Sequence, residues 1–508
     1  MYRKKHDLEN LVQSLTNGEK RFITNALKQS KDGSLYVSLY DKLQKAKSGT
    51  INNEIKGTVL SDKNRFLNKT ILKHLKQFHS KLSPDVIIQN YLIEIEILYN
   101  HSLSDQAILV LLKAKQIAIK NEKFGLYLQI LAWEQKLSIV LDQPYRSLDD
   151  IRLEEEDILA KNSQINYLLA FYNQIMSIKK QHGYAKGQVK ESLDSLIIHN
   201  PNFPTVKECN SNKAVYYHNL ILSIYSWMTF DHTKAYAYSK MLFKGDSQNI
   251  LPSDYLTGIF EHITSAVCIV KFTDALQAIQ LAQAFMEEYK LNQSNRYRQL
   301  FFAYEATYKL IINSYMGKQA KLLEVIYHAE SWLEIYADVI PIERKQVVIG
   351  NIMNAYIATH DLDKAWIIWN QLFNKQSETI RKDIYADLYL FRIFFYLQTQ
   401  TYDLITSAAA SALRFYRKTE ENKSQFILEA AISQLFFKDI DYSNAIKINL
   451  ILQQAHQLLG NYISEVRGSI GFQEHYTRYI IWLDAIEKKI PYYKAARDWY
   501  QSMVSLKT

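Results

Sequence analysis

Asn351 and Asn354 stand three residues apart, so on a helix they share one face. A primary amide offers both a donor and an acceptor, which suits it to meet an extended peptide whose own amides must stay paired. These two are the candidate ligand contacts of a binding groove. The positions matching Asn354 in nearby segments are Phe394 and Gln434, so the amide does not recur, and an ordinary hydrogen bond between helices is the competing reading. A second group is cationic. Lys20, Arg21 and Lys28 lie near one helix, and Lys73 and Lys76 on another. Point charges of this kind meet phosphate or an acidic partner, and such binding weakens steeply with salt. The competing reading here is a solvated helix face.

Other reactive residues do not fall at useful spacings. His74 and His79 are five apart and do not share a face as helical ligands at i and i+4 would, so no metal is expected there. Glu154, Glu155, Glu156 and Asp157 could attract a cation but lack the alternating oxygens of a calcium loop, and they read as a solvated face. Glu94 and Glu96 are two apart and point to different sides of a helix, which denies them the role of an acid/base pair. There is no P-loop signature, no GxGxxG, no HExxH and no GxSxG. The two cysteines, Cys209 and Cys268, supply neither a CxxC nor a disulfide framework, as befits a reducing compartment. The expectation is a chain that is not an enzyme, with no cofactor and no metal.

The elements that position these groups are helices. Only 14 Gly and 7 Pro occur in 508 residues, where average usage gives about 35 and 25. Few breakers mean long uninterrupted helices, and 36 tyrosines suit half-buried helix faces, each with a broad apolar body and a polar tip. The longest apolar run, near Leu220–Phe230, is about half of the ~20 residues a membrane-spanning helix needs. The basic start, MYRKKHDLENLVQSLT, has no apolar core of the kind a secretory signal carries. A cytoplasmic protein without membrane insertion is expected.

Net charge is +9, and its placement is uneven. Residues 1–80 hold 16 Lys and Arg against 7 Asp and Glu, which accounts for the whole excess. Thr16 and Glu19 have the form of a capping box opening a helix to about Gln29. Lys31–Ser34 reads as a turn, with Ser34 capping a second helix. A polar interval at 48–56 follows, and Asp62 caps the next helix. Four short helices suit a small bundle, a helix-turn-helix variant among them. Pro84 then sits in the first turn of a helix to about Asn100. Helices are expected near 123–141, 148–161 and 164–182, and the two prolines of Asn200–Asn212 mark a loop.

The most regular phrase is Asn354–Phe373, NAYIATHDLDKAWIIWNQLF. Tyr356, Ala365 and Leu372 are spaced nine and then seven, around a polar break in which Asp361 or Asp363 is the cap. The same spacing recurs at Leu98, Ala107 and Ala114, at Tyr396, Ile405 and Ala412, and at Phe436, Ala445 and Leu452. The markers at 275, 322, 365, 405 and 445 are 47, 43, 40 and 40 residues apart, room for two helices and their turns. Aromatics such as Trp366 with Trp369, and Phe391, Phe394, Phe395 and Tyr396, read as core. A final helix pair, about 473–488 and 491–505, would cap the array.

Small residues at these offsets, with an aromatic nine positions earlier, resemble the tetratricopeptide repeat over about Pro84–Ser505. That repeat is about 34 residues long, so both helices here are about a turn longer. The turn-ending proline is mostly missing, and Ala355 stands where the first helix usually has Gly. HEAT-like hairpins are the structural alternative. Asn351 and Asn354 are then similar to the asparagines of peptide-clamping tetratricopeptide domains, whose accompanying lysines are not evident. Leu11–Arg21, LVQSLTNGEKR, also resembles the start of a group of uncharacterised bacterial helical-repeat proteins, which implies a bacterial, cytoplasmic protein and carries no activity with it.

The fold expected is all-α: a right-handed superhelical array of tetratricopeptide-like hairpins preceded by a small N-terminal helical bundle. The divisions are 1–82, a basic helical module; 83–199, the first hairpins; 200–212, a loop; and 213–508, the repeat array with C-terminal capping helices. The function expected is a non-catalytic protein- or peptide-binding adaptor or scaffold. The alternative is a regulator whose basic module touches nucleic acid or ribosome while the repeats bind a protein or peptide.

Overall fold

The computed structural model describes residues 7–29, 33–45, 58–79, 83–141, 146–185, 187–243, 249–336, 340, 342–374, 382–418, 426–437, 444–465 and 474–505. The polar interval expected at 48–56 lies outside them. Among the described residues there are 23 α-helices and no β-strand. By packing, the chain forms two compact units, Met1–Gln164 with Lys290–Tyr297, and Ile165–Tyr289 with Arg298–Thr508.

The first unit holds α1 (Asp7–Ser14), α2 (Asn17–Lys28), α3 (Gly33–Lys45), α4 (Thr58–His79), α5 (Pro84–Asn100), α6 (Ser104–Lys120), α7 (Phe124–Val140) and the start of α8 (Leu148–His182). Helices α1–α4 close on a core of their own, in which Val12, Ile23, Leu27, Tyr40, Leu67 and Ile71 are buried. The capping box opens α2 as its sequence predicts. Glu19 N donates to Thr16 Oγ1 at 3.3 Å and Thr16 N to Glu19 Oε2 at 2.7 Å. Two expected caps do not serve as caps. Helix α3 already opens at Gly33 and α4 at Thr58, so Ser34 and Asp62 fall inside them. The helices expected at 148–161 and 164–182 are one 35-residue helix, α8. Lys161, Asn162 and Ser163 include neither Gly nor Pro, and polar residues alone do not interrupt the backbone ladder.

The second unit continues α8 and adds α9 (Gln188–Ile197), α10 (Asn212–Met228), α11 (His232–Met241), α12 (Pro252–Cys268), α13 (Phe272–Glu288), α14 (Asn295–Tyr315), α15 (Gln319–Tyr336), α16 (Ile342–Ala358), α17 (Leu362–Asn374), α18 (Lys382–Gln398), α19 (Ile405–Lys418), α20 (Ile427–Phe437), α21 (Ala445–Glu465), α22 (Glu474–Glu487) and α23 (Tyr492–Ser505). Neighbours pack in pairs, among them α10 with α11, α12 with α13 and α16 with α17. The loop expected at 200–212 is a loop as far as Ser211, with one 3-10 turn, Val206–Glu208; α10 already begins at Asn212, and Ser211 caps it through Ala214 N at 3.1 Å.

One turn recurs between paired helices. A residue with positive φ sits just past the first helix of the pair: Ser102, Glu122, Phe230, Val270, Gly317, His360, Gln400 and Lys489. The next amide reaches back to a carbonyl five residues earlier, as Asp361 N does to Tyr356 O at 2.8 Å and Thr401 N to Tyr396 O at 2.9 Å. This is the Schellman closure of a helix end. The small residue of the phrase comes five positions after the left-handed one, as Ala275 follows Val270 and Ala365 follows His360. Asp361 then caps α17 through Lys364 N at 3.3 Å.

Only one of these eight turns uses glycine, and the reason is tertiary. A Cβ on Gly317 would lie 2.5 Å from Tyr493 O and 2.9 Å from Arg497 Cβ, because α23 crosses the turn there. Arg497 Nη2 donates to Gly317 O at 3.3 Å, and the rings of Tyr500 and Trp499 pack on Phe272 and Tyr315 at 5.3 and 5.4 Å. Gly317→Ala is expected to destabilise the protein by about 1–3 kcal/mol through this overlap. Gln400→Gly, at the exposed left-handed position of a matching turn, should be neutral or stabilising because it relieves a left-handed side chain without removing core volume. Urea unfolding of the two variants tests the contrast.

Candidate functional site

The cations expected to act together are divided between two helices. On α2, Ile23 and Leu27 turn inward, Arg21 and Lys28 are exposed, and Lys20 is half-buried. On α4, Leu67 and Ile71 turn inward, and Lys73 and Lys76 are exposed. The two helices touch through Phe22 and Phe78, whose rings are 5.3 Å apart. Phe78 lies on the inward side of α4, so the contact does not place Arg21 and Lys28 beside Lys73 and Lys76.

Asn351 and Asn354 both lie on α16 and both are half-buried. Val348, Ile352, Ala355 and Tyr356 make one buried stripe of this helix, and Gln346, Met353 and Ile357 a second. The two asparagines fall on the third side. Asn351 Nδ2 donates to Val347 O of its own helix at 2.9 Å, which uses one of its donors within the turn. The aromatic phrases are core, with Trp369, Phe391, Phe394 and Phe395 buried and Trp366 stacked on Trp369 and Phe395 at 4.6 Å each.

In the second unit the chain's own helices lie against the first helices of the pairs. Helix α22 packs on α18, and α23 on α16. Asp387 of α18 accepts from Tyr479 Oη at 2.7 Å and pairs with Arg478. Trp482 Nε1 donates to Gln398 Oε1 at 3.2 Å, and Tyr476 Oη to Glu429 at 2.8 Å. Near the start of this unit α8 meets α12 through Lys179 Nζ and Glu261 Oε1, 2.6 Å apart, with Glu261 buried.

Tyrosine hydroxyls on carboxylates are a recurrent tie. Tyr225 reaches Asp194 at 2.6 Å, Tyr236 reaches Asp274 at 2.5 Å, and Tyr356 reaches Glu330 at 2.6 Å. Tyr217 reaches Asp254 in the same way. Asp254 and Asp274 stand in the first turns of α12 and α13, where the helix dipole favours a carboxylate. Tyr217 and Tyr236 lie 37 and 38 residues before them, so the same tie joins first helix to first helix and second to second. Burial, followed by the facing carboxylate, pushes these phenols well above their ordinary range. The abundance of Tyr was the sequence signal for this, but its partners were not legible.

The acidic run that reads as a solvated face is a correction. Glu154 accepts from Lys115 Nζ at 2.8 Å and Arg146 Nη1 at 2.6 Å, and also from Tyr127. Lys115 also holds Glu134 Oε2 at 2.7 Å, and Glu134 is 0% exposed. Burial would raise the Glu154 carboxyl, but hydrogen bonds from Lys115, Tyr127 and Arg146 outweigh it and hold it below the usual range. Glu155 meets Gln135 at 2.8 Å, and only Glu156 and Asp157 keep to exposed i, i+4 pairs with Arg152 and Lys161. The reason is tertiary: α6 and α7 bring a lysine and a carboxylate to the side of α8 that Glu154 occupies. With two cations facing two carboxylates, the cluster is a balanced tie between helices. Glu94 and Glu96 are both exposed on α5. Among the described residues no group of His, Cys, Asp and Glu is placed to hold a metal, and no helix is long and apolar enough to cross a membrane.

His232, the first residue of α11, is 1% exposed, and neither ring nitrogen has a partner among the described residues. Tyr184 and Phe230 pack edge-on against it at 6.3 and 6.2 Å. Burial pushes it down from 6.5 to about 4, against a smaller upward pull from Asp231. Between those values the unfolded chain binds the proton and the folded chain does not, so stability falls as pH drops through this window. The loss should reach roughly 3 kcal/mol and level off below the folded value. Thermal unfolding across this range, compared with His232→Gln, is expected to show a shallower slope in the variant.

The described surface also carries apolar residues that sequence periodicity could not mark as exposed. On α5, Ile93 and Ile97 are 56% and 53% exposed; on α6, Leu109 is 61% exposed, with Leu112 and Ile119 on the same side. Compared with protein-family models, curated proteins and solved structures, the chain matches none.

Proposed function

We propose that this chain is a non-catalytic scaffold that binds a protein or peptide, built on a tetratricopeptide-like array of helical hairpins. The observation that carries the reading is the pair of exposed aliphatic stripes on one hairpin, Ile93 and Ile97 on α5 and Leu109, Leu112 and Ile119 on α6. Groups of exposed aliphatic residues on soluble helices mark interaction surfaces. The flanking Gln89, Asn90, Glu94 and Glu96 supply a polar rim. In the second unit, by contrast, the first helices α16 and α18 meet α23 and α22 of the chain itself.

The test is capture of partners by the full chain from its native host at low salt, with and without nuclease. A defined protein that survives nuclease and is lost with Ile93→Glu plus Ile97→Glu, at unchanged melting temperature, supports the reading. Recovery of the same proteins by that variant overturns the assignment of the surface.

A further inference from the structure

We propose that the outward face of α4 binds single-stranded nucleic acid, with phosphates on Arg65, Lys69, Lys73 and Lys76 and a base stacked on Phe66. The inference is independent of the hairpin reading above, because it concerns a different module and a different chemistry.

Helical geometry puts the four cations together. Arg65, Lys69, Lys73 and Lys76 follow at steps of four, four and three, and all four are exposed. Leu67 and Ile71, both 0% exposed, lie on the opposite side and bury that side in the core of α1–α4. At about 1.5 Å per residue the cations are spread along roughly 16 Å of helix. None of the four has an ion-pair partner among the described residues, and the sequence has no Asp or Glu between Lys63 and His79. An unpaired row of like charges is costly to the fold and is relieved by a polyanion. The surrounding module reinforces it, since residues 1–80 hold 16 cations against 7 acids.

Two exposed apolar groups lie on the same face, Phe66 at 53% and Leu72 at 46%. The Phe66 ring rests on Tyr36, with centroids 4.9 Å apart, so it is supported from below and open above. Cations that follow a backbone beside an aromatic platform are what unpaired strands need, because every base has a flat face to stack. A lipid surface fits less well. A helix that lies in a bilayer inserts its apolar face, and the apolar face of α4 is already spent on the bundle core. A duplex would offer phosphates but no free base for Phe66.

The experiment is fluorescence anisotropy of the full chain with a labelled oligouridylate of about 20 nucleotides, longer than a typical single-strand site. With four phosphate contacts, log K should fall with log salt at a slope near −3, and each Lys→Gln should reduce the slope by about 0.7. Phe66→Leu, which keeps bulk against Tyr36 but removes the ring, should weaken binding about tenfold or more without changing the slope. Circular dichroism confirms that the variants fold. The proposal fails if the strand does not bind at about 50 mM salt. It fails equally if Lys69→Gln, Lys73→Gln and Lys76→Gln leave the slope unchanged. Tighter binding to duplex DNA, to polyglutamate or to phosphatidylserine vesicles would also overturn it in favour of that partner.

Discussion

Lys115→Met is expected to lower the unfolding free energy by about 3–5 kcal/mol, the range for breaking a buried ion pair on one side. Lys115 is 9% exposed and is shared between Glu134 at 2.7 Å and Glu154 at 2.8 Å. Removing it leaves Glu134, itself 0% exposed, without its 2.7 Å cation and with Arg146 farther off at 3.6 Å. Glu154 keeps Arg146 and Tyr127, so the loss falls on Glu134. A double change, Lys115→Met with Glu134→Leu, should recover much of the loss, since a buried pair replaced by apolar groups is often nearly neutral. Urea unfolding of the two single variants and the double gives the coupling directly. Full additivity would show that the two charges do not depend on each other. The cluster also sets a pH dependence. Glu154 is depressed, so its contribution is present above its unfolded value and is lost as pH falls through the folded one.

The second large effect is expected at Asp387. Its carboxylate, 8% exposed, pairs with Arg478 and accepts from Tyr479 at 2.7 Å, tying α22 to α18 across 92 residues of sequence. Asp387→Ala removes both interactions while Arg478 stays largely buried, again a cost of about 3–5 kcal/mol. Since α23 follows α22 onto the Gly317 turn, the expected readout is local as well as global. Amides of Glu474–Glu487 and Tyr492–Ser505 should exchange faster, and proteases should cut between them before the rest of the unit opens. Asp387→Asn keeps an oxygen for Tyr479 but not the charge, so it should fall between the two. If α22 and α23 keep their full protection in Asp387→Ala, the apolar contacts of Trp482 with Phe391 and Phe394, at 5.5 and 5.7 Å, hold the hairpin without the ion pair.

What the sequence alone determined was local. The scarcity of breakers and the 3.6-residue spacing of apolar positions required helices. Thr16 with Glu19 and Pro84 fixed where two of them begin, because these signals act within one turn of chain, whereas the choice of Asp361 over Asp363 as the cap of α17 came from the structure. The nine-and-seven spacing placed the paired helices, and the charge count singled out the first 80 residues. Even locally there were limits. Seven of the eight left-handed turn residues are not glycine, so the turns carried no glycine mark. Nothing in Lys161–Ser163 could show by itself whether one helix ends there.

The tertiary structure decided which faces are used. An apolar stripe reads the same whether another helix covers it or not, so the exposure of Ile93, Ile97 and Leu109 became visible only in the fold. An acidic run reads the same whether water or Lys115 meets it. The docking of α22 and α23 depends on residues distant in sequence, as in Trp482 with Gln398, 84 positions apart, and Arg497 with Gly317, 180 apart. Such contacts follow from the accumulated geometry of every intervening helix and turn, and no short stretch of sequence encodes that sum.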